Sequence, residues 1–420
     1  MEKRRQRAEK KRAFHVMAKP MGPMCNLDCR YCFYLQKQTL YPQPREWAMP
    51  DAVLETFIAQ YIAALDTPLV SFAWQGGEPT LRGLDFFRQV VALQAKYAQG
   101  KRIENALQTN GVLLDDPWAA FLAENRFLVG LSIDGPAELH DSYRVDKGGA
   151  PSSDRVMRGL RFLKKHGVEF NALTAVSRQN ASHPLRVYRF LRGIGCEFIQ
   201  FIPVVEREFP LPETEPAAAG SLPASPPRVT DWSVDPTAYG EFLCTIYDAW
   251  VRTDVGRCFI QLFDAALESF LGLASHLCIY RPTCGTALVL EHNGDLYACD
   301  HFVDPAHRLG NITAQSLLEL VESAAQRNFG EEKVRSLPPG CRSCEVRFAC
   351  QGECPKNRFA LTPDGEPGLN YLCSAYRRFF QHIAPTMQFM AEELQQHRPP
   401  ANVMGWLRGQ ALHPFSNARD

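Results

Sequence analysis

Residues 51–65, DAVLETFIAQYIAAL, place apolar side chains at helical spacing, and the next apolar run, LVSFAW, has the length of a buried strand. The same alternation then repeats. A helix over LDFFRQVVALQAKY leads to a strand ending at ALQT, and a further helix precedes FLVGLSID. VMRGLRFLKKH leads into VEFNALTAV, and PLRVYRFLRGI leads into FIQFIP. Apolar strands that each follow an amphipathic helix predict parallel pairing through right-handed crossovers. The expected fold class is therefore α/β: a βα-repeat sheet, open or curled toward a barrel, within residues 15–205. Chemistry on such a sheet collects at the carboxyl ends of the strands.

The pattern breaks at 206–235. EREFPLPETEPAAAGSLPASPPRVTDWSVD keeps no periodicity and reads as a linker or mobile insertion. Helical character returns over 236–275, a connector. Residues 276–375 carry short segments, turns and eight of the 14 cysteines. A region so built is expected to need metals as staples in place of a conventional core. A C-terminal helix and tail are expected over 376–420, with SAYRRFFQHIAPTMQFMAEELQQ carrying the helix. The basic start, MEKRRQRAEKKR, reads as a solvated tail over 1–14.

Charge narrows the function class. Lysine plus arginine and aspartate plus glutamate each number 46, so the net charge is zero. That balance argues against a nucleic-acid or membrane partner. No apolar run is long enough to span a bilayer, and no apolar segment follows the basic start as a secretory signal would require. The expectation is a cytoplasmic protein with reduced thiols, whose cysteines serve metals or catalysis before disulfides.

The thiols are patterned. In MCNLDCRYCFY, residues 24–34, Cys25, Cys29 and Cys32 follow C-x3-C-x2-C. A structural zinc site takes four ligands, and His15 lies ten residues before Cys25. Three thiolates on a four-iron cube would leave one iron open to a substrate or cofactor. A zinc knuckle that borrows a distant ligand is the alternative. WQGGEPTL, residues 74–81, directly follows the strand LVSFAW, and its glycines allow backbone to approach a ligand closely. Downstream, Cys278, Cys284 and Cys299 stand at C-x5-C-x14-C. Cys341, Cys344, Cys350, Cys354 and Cys373 stand at C-x2-C-x5-C-x3-C-x18-C. Eight thiols make two four-ligand sites, with a pair of zinc sites as the alternative. Spacing alone leaves Cys350 and Cys354 exchangeable. Cys196, Cys244 and Cys258 sit in apolar contexts and read as small buried hydrophobes.

The triplet with Tyr31 before its last cysteine resembles the radical S-adenosylmethionine (SAM) superfamily, and QGGEPTL resembles its GGEP loop. The later cysteines are similar to the SPASM extension. Within the SPASM families the chain is identified as a member of the anaerobic sulfatase-maturating enzymes. MAKPMGPMCNLDCRYCFYL, QGGEPTL, SIDGP, VEFN, FIQFIP, LYACDHFV, RLGNI and CQGECPKNR carry that resemblance across most of residues 17–380. It departs at the insertion over 206–235.

The resemblance implies a partial (β/α)6 barrel followed by a SPASM domain over 276–375. It implies SAM and three [4Fe-4S] clusters as cofactors. Cys25, Cys29 and Cys32 would hold the SAM cluster. Cys278, Cys284, Cys299 and Cys354 would hold the first auxiliary cluster, and Cys341, Cys344, Cys350 and Cys373 the second. The implied reaction oxidises a cysteine or serine of an unfolded sulfatase precursor, or of its motif peptide, to Cα-formylglycine. A Cβ–H is not acidic, so a 5′-deoxyadenosyl radical must take it as a hydrogen atom. Asp300 is similar to the catalytic base for the thiol or hydroxyl proton, a role that a burial-raised pKa would suit. An auxiliary cluster would take the remaining electron, and flavodoxin or ferredoxin would serve as donor. Tyr31, Gly77, Ser132, Arg144 and Val205 match the SAM pocket, with Arg144 as a clamp on the SAM carboxylate. Asp134 reads equally as a cap on the turn at Gly135 and Pro136. Gln75 and Tyr34 are expected to touch the target peptide, and His301 and His307 to be structural. Other SPASM maturases that form thioethers or cross-links, and a zinc-stapled binding protein, are the alternative readings.

Overall fold

A computed structural model describes residues 13–41, 47–208 and 228–412. The strands β1 (His15–Ala18), β2 (Leu69–Trp74), β3 (Arg102–Thr109), β4 (Leu128–Ser132), β5 (Phe170–Val176), β6 (Phe198–Pro203) and β7 (Phe259–Ile260) pair in parallel and in chain order. The sheet is curled. One cavity of about 120 Å³ has Met17, Ala73, Gln108, Gly130, Asn171 and Gln200 in its wall, so each of β1 to β6 contributes to it. This is the partial barrel that the alternation and the resemblance pointed to.

Alternation along each strand explains the two faces. In β2, Val70, Phe72 and Trp74 are buried among the outer helices, and Ala73 faces inward. Phe72 packs edge-on against Phe57 and Tyr61 of the helix Asp51–Ala64, at centroid distances of 5.7 and 5.1 Å. A second apolar core joins β5 and β6 to the helices Pro184–Gly193, Pro236–Thr253, Gln261–Phe270 and Cys373–Gln395. The last of these buries Tyr376, Phe379, Phe380, Ile383, Met387 and Met390. At about 1.5–3 kcal/mol per side chain, that face contributes on the order of 10 kcal/mol before entropy. Among the described residues no helix is long and apolar enough to cross a membrane.

The cysteine-rich region differs from expectation. β8 (Ala287–Leu290), β9 (Asp295–Tyr297) and β10 (Arg308–Asn311) extend the barrel sheet on the far side of β1. β8 runs parallel to β1, and β9 and β10 follow antiparallel. Leu288, Leu290, Leu296 and Ile312 enter the same core as the helix Asp51–Ala64. This part of the region has apolar packing of its own. Its strands are three and four residues long, too short to show a period, and they form because β1 offers an unpaired edge.

Residues 1–12 of the expected tail and 209–227 of the expected insertion lie outside the described residues. The ends of the insertion are tied together. Glu208 N donates to Arg228 O at 3.0 Å, Thr230 N to Glu206 O at 2.9 Å, and Val234 N to Val204 O at 2.9 Å. The chain therefore leaves and returns at one place, beside the end of β6.

The helix Ser153–Lys165 lies directly on a backbone carbonyl, because a Cβ on Gly159 would stand 2.3 Å from Gly111 O. Gly159→Ala is expected to destabilise the protein by about 1–3 kcal/mol through overpacking, despite alanine's better helix propensity. A thermal unfolding midpoint no lower than that of the parent would contradict this packing.

Candidate active site

The first three thiols sit on a loop that leaves the end of β1 and is held from two sides. Asp28 N donates to Val145 O at 2.8 Å, and Arg30 N donates to Tyr143 O at 3.0 Å. From the other side Glu78 N donates to Met24 O at 2.8 Å. Gly77 has φ +49°, and a Cβ there would lie 1.9 Å from Met24 O, so only glycine lets the two loops close. Glu78 itself is a latch. Its Oε1 accepts from Thr80 N, Thr80 Oγ1 and Thr109 Oγ1, and its Oε2 accepts from Asn110 N at 2.7 Å. Burial raises the thiols of Cys25 and Cys29 to about 12, and each of Cys25, Cys29 and Cys32 lies in the field of another. Three half-buried thiols in one another's field resist ionising together. A bound iron centre would supply the positive charge they need.

The other eight thiols form two separate sets. Cys278, Cys284, Cys299 and Cys354 stand in the wall of one cavity of about 160 Å³. Cys350 lies near Cys373 and Cys341, and Cys373 near Cys341 and Cys344. The backbone thus places Cys354 with the first set and Cys350 with the second. Gln351, Gly352 and Glu353 have φ of 49°, 71° and 51°, and this left-handed turn sends the flanking cysteines to different places. Four thiols around one cavity are the donor set that a four-iron cube takes. The wall also holds Lys333, 1% exposed, whose Nζ donates to Cys278 O at 2.9 Å and Ile279 O at 2.7 Å. A buried cation among thiols fits an anionic thiolate cluster. Cys196, Cys244 and Cys258 are buried in the second apolar core, as their contexts implied.

Asp300 lines the same cavity. Its Oδ1 lies 2.6 Å from the Nζ of Lys19, which is 1% exposed and sits 4.5 Å from the Tyr34 ring centre. Burial pushes the Asp300 carboxyl up. Lys19, His301 and Lys356 outweigh it, and the net shift is downward. The direction is opposite to the burial-raised pKa that would suit a base, and Lys19 is the main cause of the lowering. Tyr34 is also engaged, donating to Glu291 Oε1 at 2.5 Å. Gln75 Oε1 is buried and has no hydrogen-bond partner among the described residues. His301 Nδ1 lies 3.4 Å from Cys354 Sγ, and His307 pairs with Asp304 at 2.8 Å.

Across the barrel mouth, Asp134 is a hub. It accepts from Arg144 Nε at 2.7 Å and Nη2 at 3.1 Å, from Tyr31 Oη at 2.5 Å, and from Ala175 N at 2.9 Å. Arg144 was expected to clamp a ligand carboxylate, and Asp134 to cap a turn. The structure pairs them, and Asp134 takes two N–H groups of the fork. Burial pushes the Asp134 carboxyl up, but Arg144 outweighs it and the net shift is downward. His140 Nδ1 accepts from Asp134 N at 3.2 Å, and its Nε2 lies 3.1 Å from Ser152 Oγ. Burial lowers the His140 pKa to about 4, so this histidine is a neutral support. Ser132 ends β4 and is buried, and Val205 is buried just beyond β6. Lys19 and Glu291 are single polar residues whose partners are distant in the chain, and His140 is a lone histidine whose nearby partners form no motif, so spacing signals none of the three.

Comparison with known proteins places these features. Residues 20–191 match the family model of the radical SAM superfamily, and residues 278–345 match that of an iron–sulfur cluster-binding domain. A serine-type anaerobic sulfatase-maturating enzyme of Bacteroides thetaiotaomicron is 49% identical over 398 residues, covering 95% of this chain and 96% of that one. A cysteine-type anaerobic sulfatase-maturating enzyme of Clostridium perfringens is 35% identical over 383 residues, covering 90% and 99%. The solved structure of native anSMEcpe with bound AdoMet and Cp18Cys peptide superposes with a TM-score of 0.78 at 34% identity, covering 91% of this chain and 100% of that one.

Removing one member of a buried ion pair leaves the other charge uncompensated, at a cost of about 3–5 kcal/mol. Lys19→Met is expected to lower the thermal unfolding midpoint of anaerobically purified protein accordingly. Lys19→Met combined with Asp300→Asn is expected to recover most of the loss. Simple additivity of the two substitutions would show that the pair carries no coupling.

Proposed function

Because the chain belongs to the anaerobic sulfatase-maturating enzymes of the radical SAM superfamily, we propose which of its residues carry that reaction. The protein is an oxidoreductase that converts a cysteine or serine side chain of a sulfatase precursor to Cα-formylglycine, with SAM and iron–sulfur clusters as cofactors. Cys25, Cys29 and Cys32 hold the cluster with an open iron. Cys278, Cys284, Cys299 and Cys354 hold the first auxiliary cluster, and Cys341, Cys344, Cys350 and Cys373 the second. When bound, SAM and these clusters supply a 5′-deoxyadenosyl radical and an electron acceptor.

The chain's own side chains do the rest. Tyr31, Gly77, Ser132 and Val205 shape the SAM pocket. Arg144 offers a carboxylate the N–H groups that Asp134 leaves free. The unpartnered Gln75 Oε1 accepts a hydrogen bond from the target peptide. Asp300 takes the hydroxyl or thiol proton, and Lys19 keeps it ionised and aimed. A low-pKa carboxylate suffices, because loss of the Cβ hydrogen atom makes the neighbouring O–H or S–H far more acidic. The observation that carries this assignment is the position of Asp300: one residue after Cys299, in the wall of the four-thiol cavity, on Lys19. The working units are a core over 15–205, a connector over 236–275 and a cluster region over 276–375. A flavodoxin- or ferredoxin-class carrier supplies electrons in a cytoplasmic setting, where thiols stay reduced.

The preferred target is serine, in line with the serine-type relative at 49% identity against 35% for the cysteine-type one. Anaerobic incubation with SAM, reductant and paired sulfatase-derived peptides, one with serine and one with cysteine, is expected to yield formylglycine from the serine peptide by mass spectrometry. Product from neither peptide would sink the assignment. Asp300→Asn is expected to keep cleaving SAM while formylglycine falls about 10²–10⁴-fold, the range of a lost general base. Near-normal product from that variant would place the base elsewhere.

A further inference from the structure

Lys333 is a buried charge with no ion-pair partner among the described residues; the nearest carboxylate, the buried Glu353, feels its field from beyond ion-pair distance. The helix Ala324–Arg335 delivers it, 1% exposed, into the wall that Cys278, Cys284, Cys299 and Cys354 share. Two of its N–H groups meet the carbonyls of Cys278 and Ile279. Among the described residues no carboxylate lies within ion-pair distance of its ammonium. An unpaired buried cation is unfavourable, and natural cores avoid it unless an anion is present. Gly330, three residues earlier, lies on Cys284 O, where a Cβ would stand at 2.8 Å, so the helix is pressed against the thiol loop and cannot withdraw. A second cation, Arg358, also lacks a carboxylate partner: its Nε donates to Gly352 O at 2.8 Å and its Nη2 to Gln351 O at 3.0 Å. The loop that separates the two thiol sets is thus bound by carbonyl bonds; its one buried carboxylate, Glu353, is shared by both cations at a distance, and four thiolates would supply the larger negative charge beside Lys333.

We propose that Lys333 is the built-in counter-cation of the cluster held by Cys278, Cys284, Cys299 and Cys354, and that it raises the reduction potential of that cluster alone. The inference rests on the ligand assignment under Proposed function. Four thiolates on a four-iron cube carry net negative charge, and reduction adds one more unit beside the ammonium. A fixed cation stabilises the reduced form more than the oxidised one. The electron comes from the substrate carbon. Its Cβ hydrogen atom has gone to the 5′-deoxyadenosyl radical, and its hydroxyl or thiol proton goes to Asp300. One electron then leaves the carbon, one enters the cluster, and the C=O or C=S bond is complete. Lys333 is therefore a positioning residue for charge, and it touches no reacting atom of the substrate.

The test uses full-length protein carrying Cys25→Ala, Cys29→Ala and Cys32→Ala, so that only the auxiliary clusters load. Iron is counted after anaerobic reconstitution, and each cluster's midpoint is followed by redox titration with electron paramagnetic resonance. Lys333→Gln and Lys333→Met are expected to move one midpoint to more negative potential and leave the other in place. Lys333→Arg is expected to keep both. Unchanged midpoints in the fully loaded neutral variants would overturn the proposal. Loss of iron in both neutral variants but not in Lys333→Arg would support it, because charge and not shape would then be required. Loss in all three would overturn it in favour of a purely steric role. If the parent itself fails to take up eight irons, the ligand assignment falls instead, and that outcome is distinct from the others.

Discussion

One short strand holds the site together. β1 pairs in parallel with β2 on one side and with β8 on the other, so the carboxyl ends of three strands open at a common rim. The polar links around Asp300 start there. Lys19, the residue after β1, reaches Asp300 after β9. Gln75, just beyond β2, donates its N–H to Ala18 O at 3.0 Å, and Lys19 N donates to Leu290 O at 2.9 Å. Tyr34 on the first thiol loop reaches Glu291 just past β8. A parallel ladder leaves little freedom of register, since a one-residue slip would turn Lys19 and its neighbours to opposite faces.

That arrangement positions the carboxylate proposed as the base. The residue that lowers its pKa is fixed by the barrel, while the carboxylate is carried by the cysteine-rich region. The proposed proton acceptor Asp300 and the four-thiol cavity share one wall, so the hydroxyl or thiol proton and the electron from the adjoining carbon would have short paths in the same direction. The mouth on the other side is organised differently. There Asp134 collects Tyr31, Arg144 and Ala175 N into a rigid cluster, and the neutral His140 supports it from behind.

Burial is the common currency of these sites. Buried thiols resist ionisation, a buried lysine needs an anion, and a buried carboxylate needs a cation. The protein satisfies the last with Lys19. In the proposed assignment the first two would satisfy each other: the thiols of the 160 Å³ cavity would become an anionic cluster with Lys333 beside it. The same reasoning makes the cysteine-rich region only partly metal-dependent, since β8 and β9 already bury Leu288, Leu290 and Leu296 in the barrel's core.

The sequence by itself determined the helix–strand alternation, the parallel sheet and the identity of the thiols. These depend on local periodicity and spacing, and each is written within a few tens of residues. β1, β7 and the β8–β10 extension were not legible, because strands of two to four residues carry no period and form only on an edge that already exists. The partition of Cys350 and Cys354 was likewise decided by a left-handed turn, and the ionisation of Asp300 by a lysine 281 positions earlier in the chain. Long-range charge pairing and backbone handedness are properties of the folded arrangement, so only the tertiary structure could decide them.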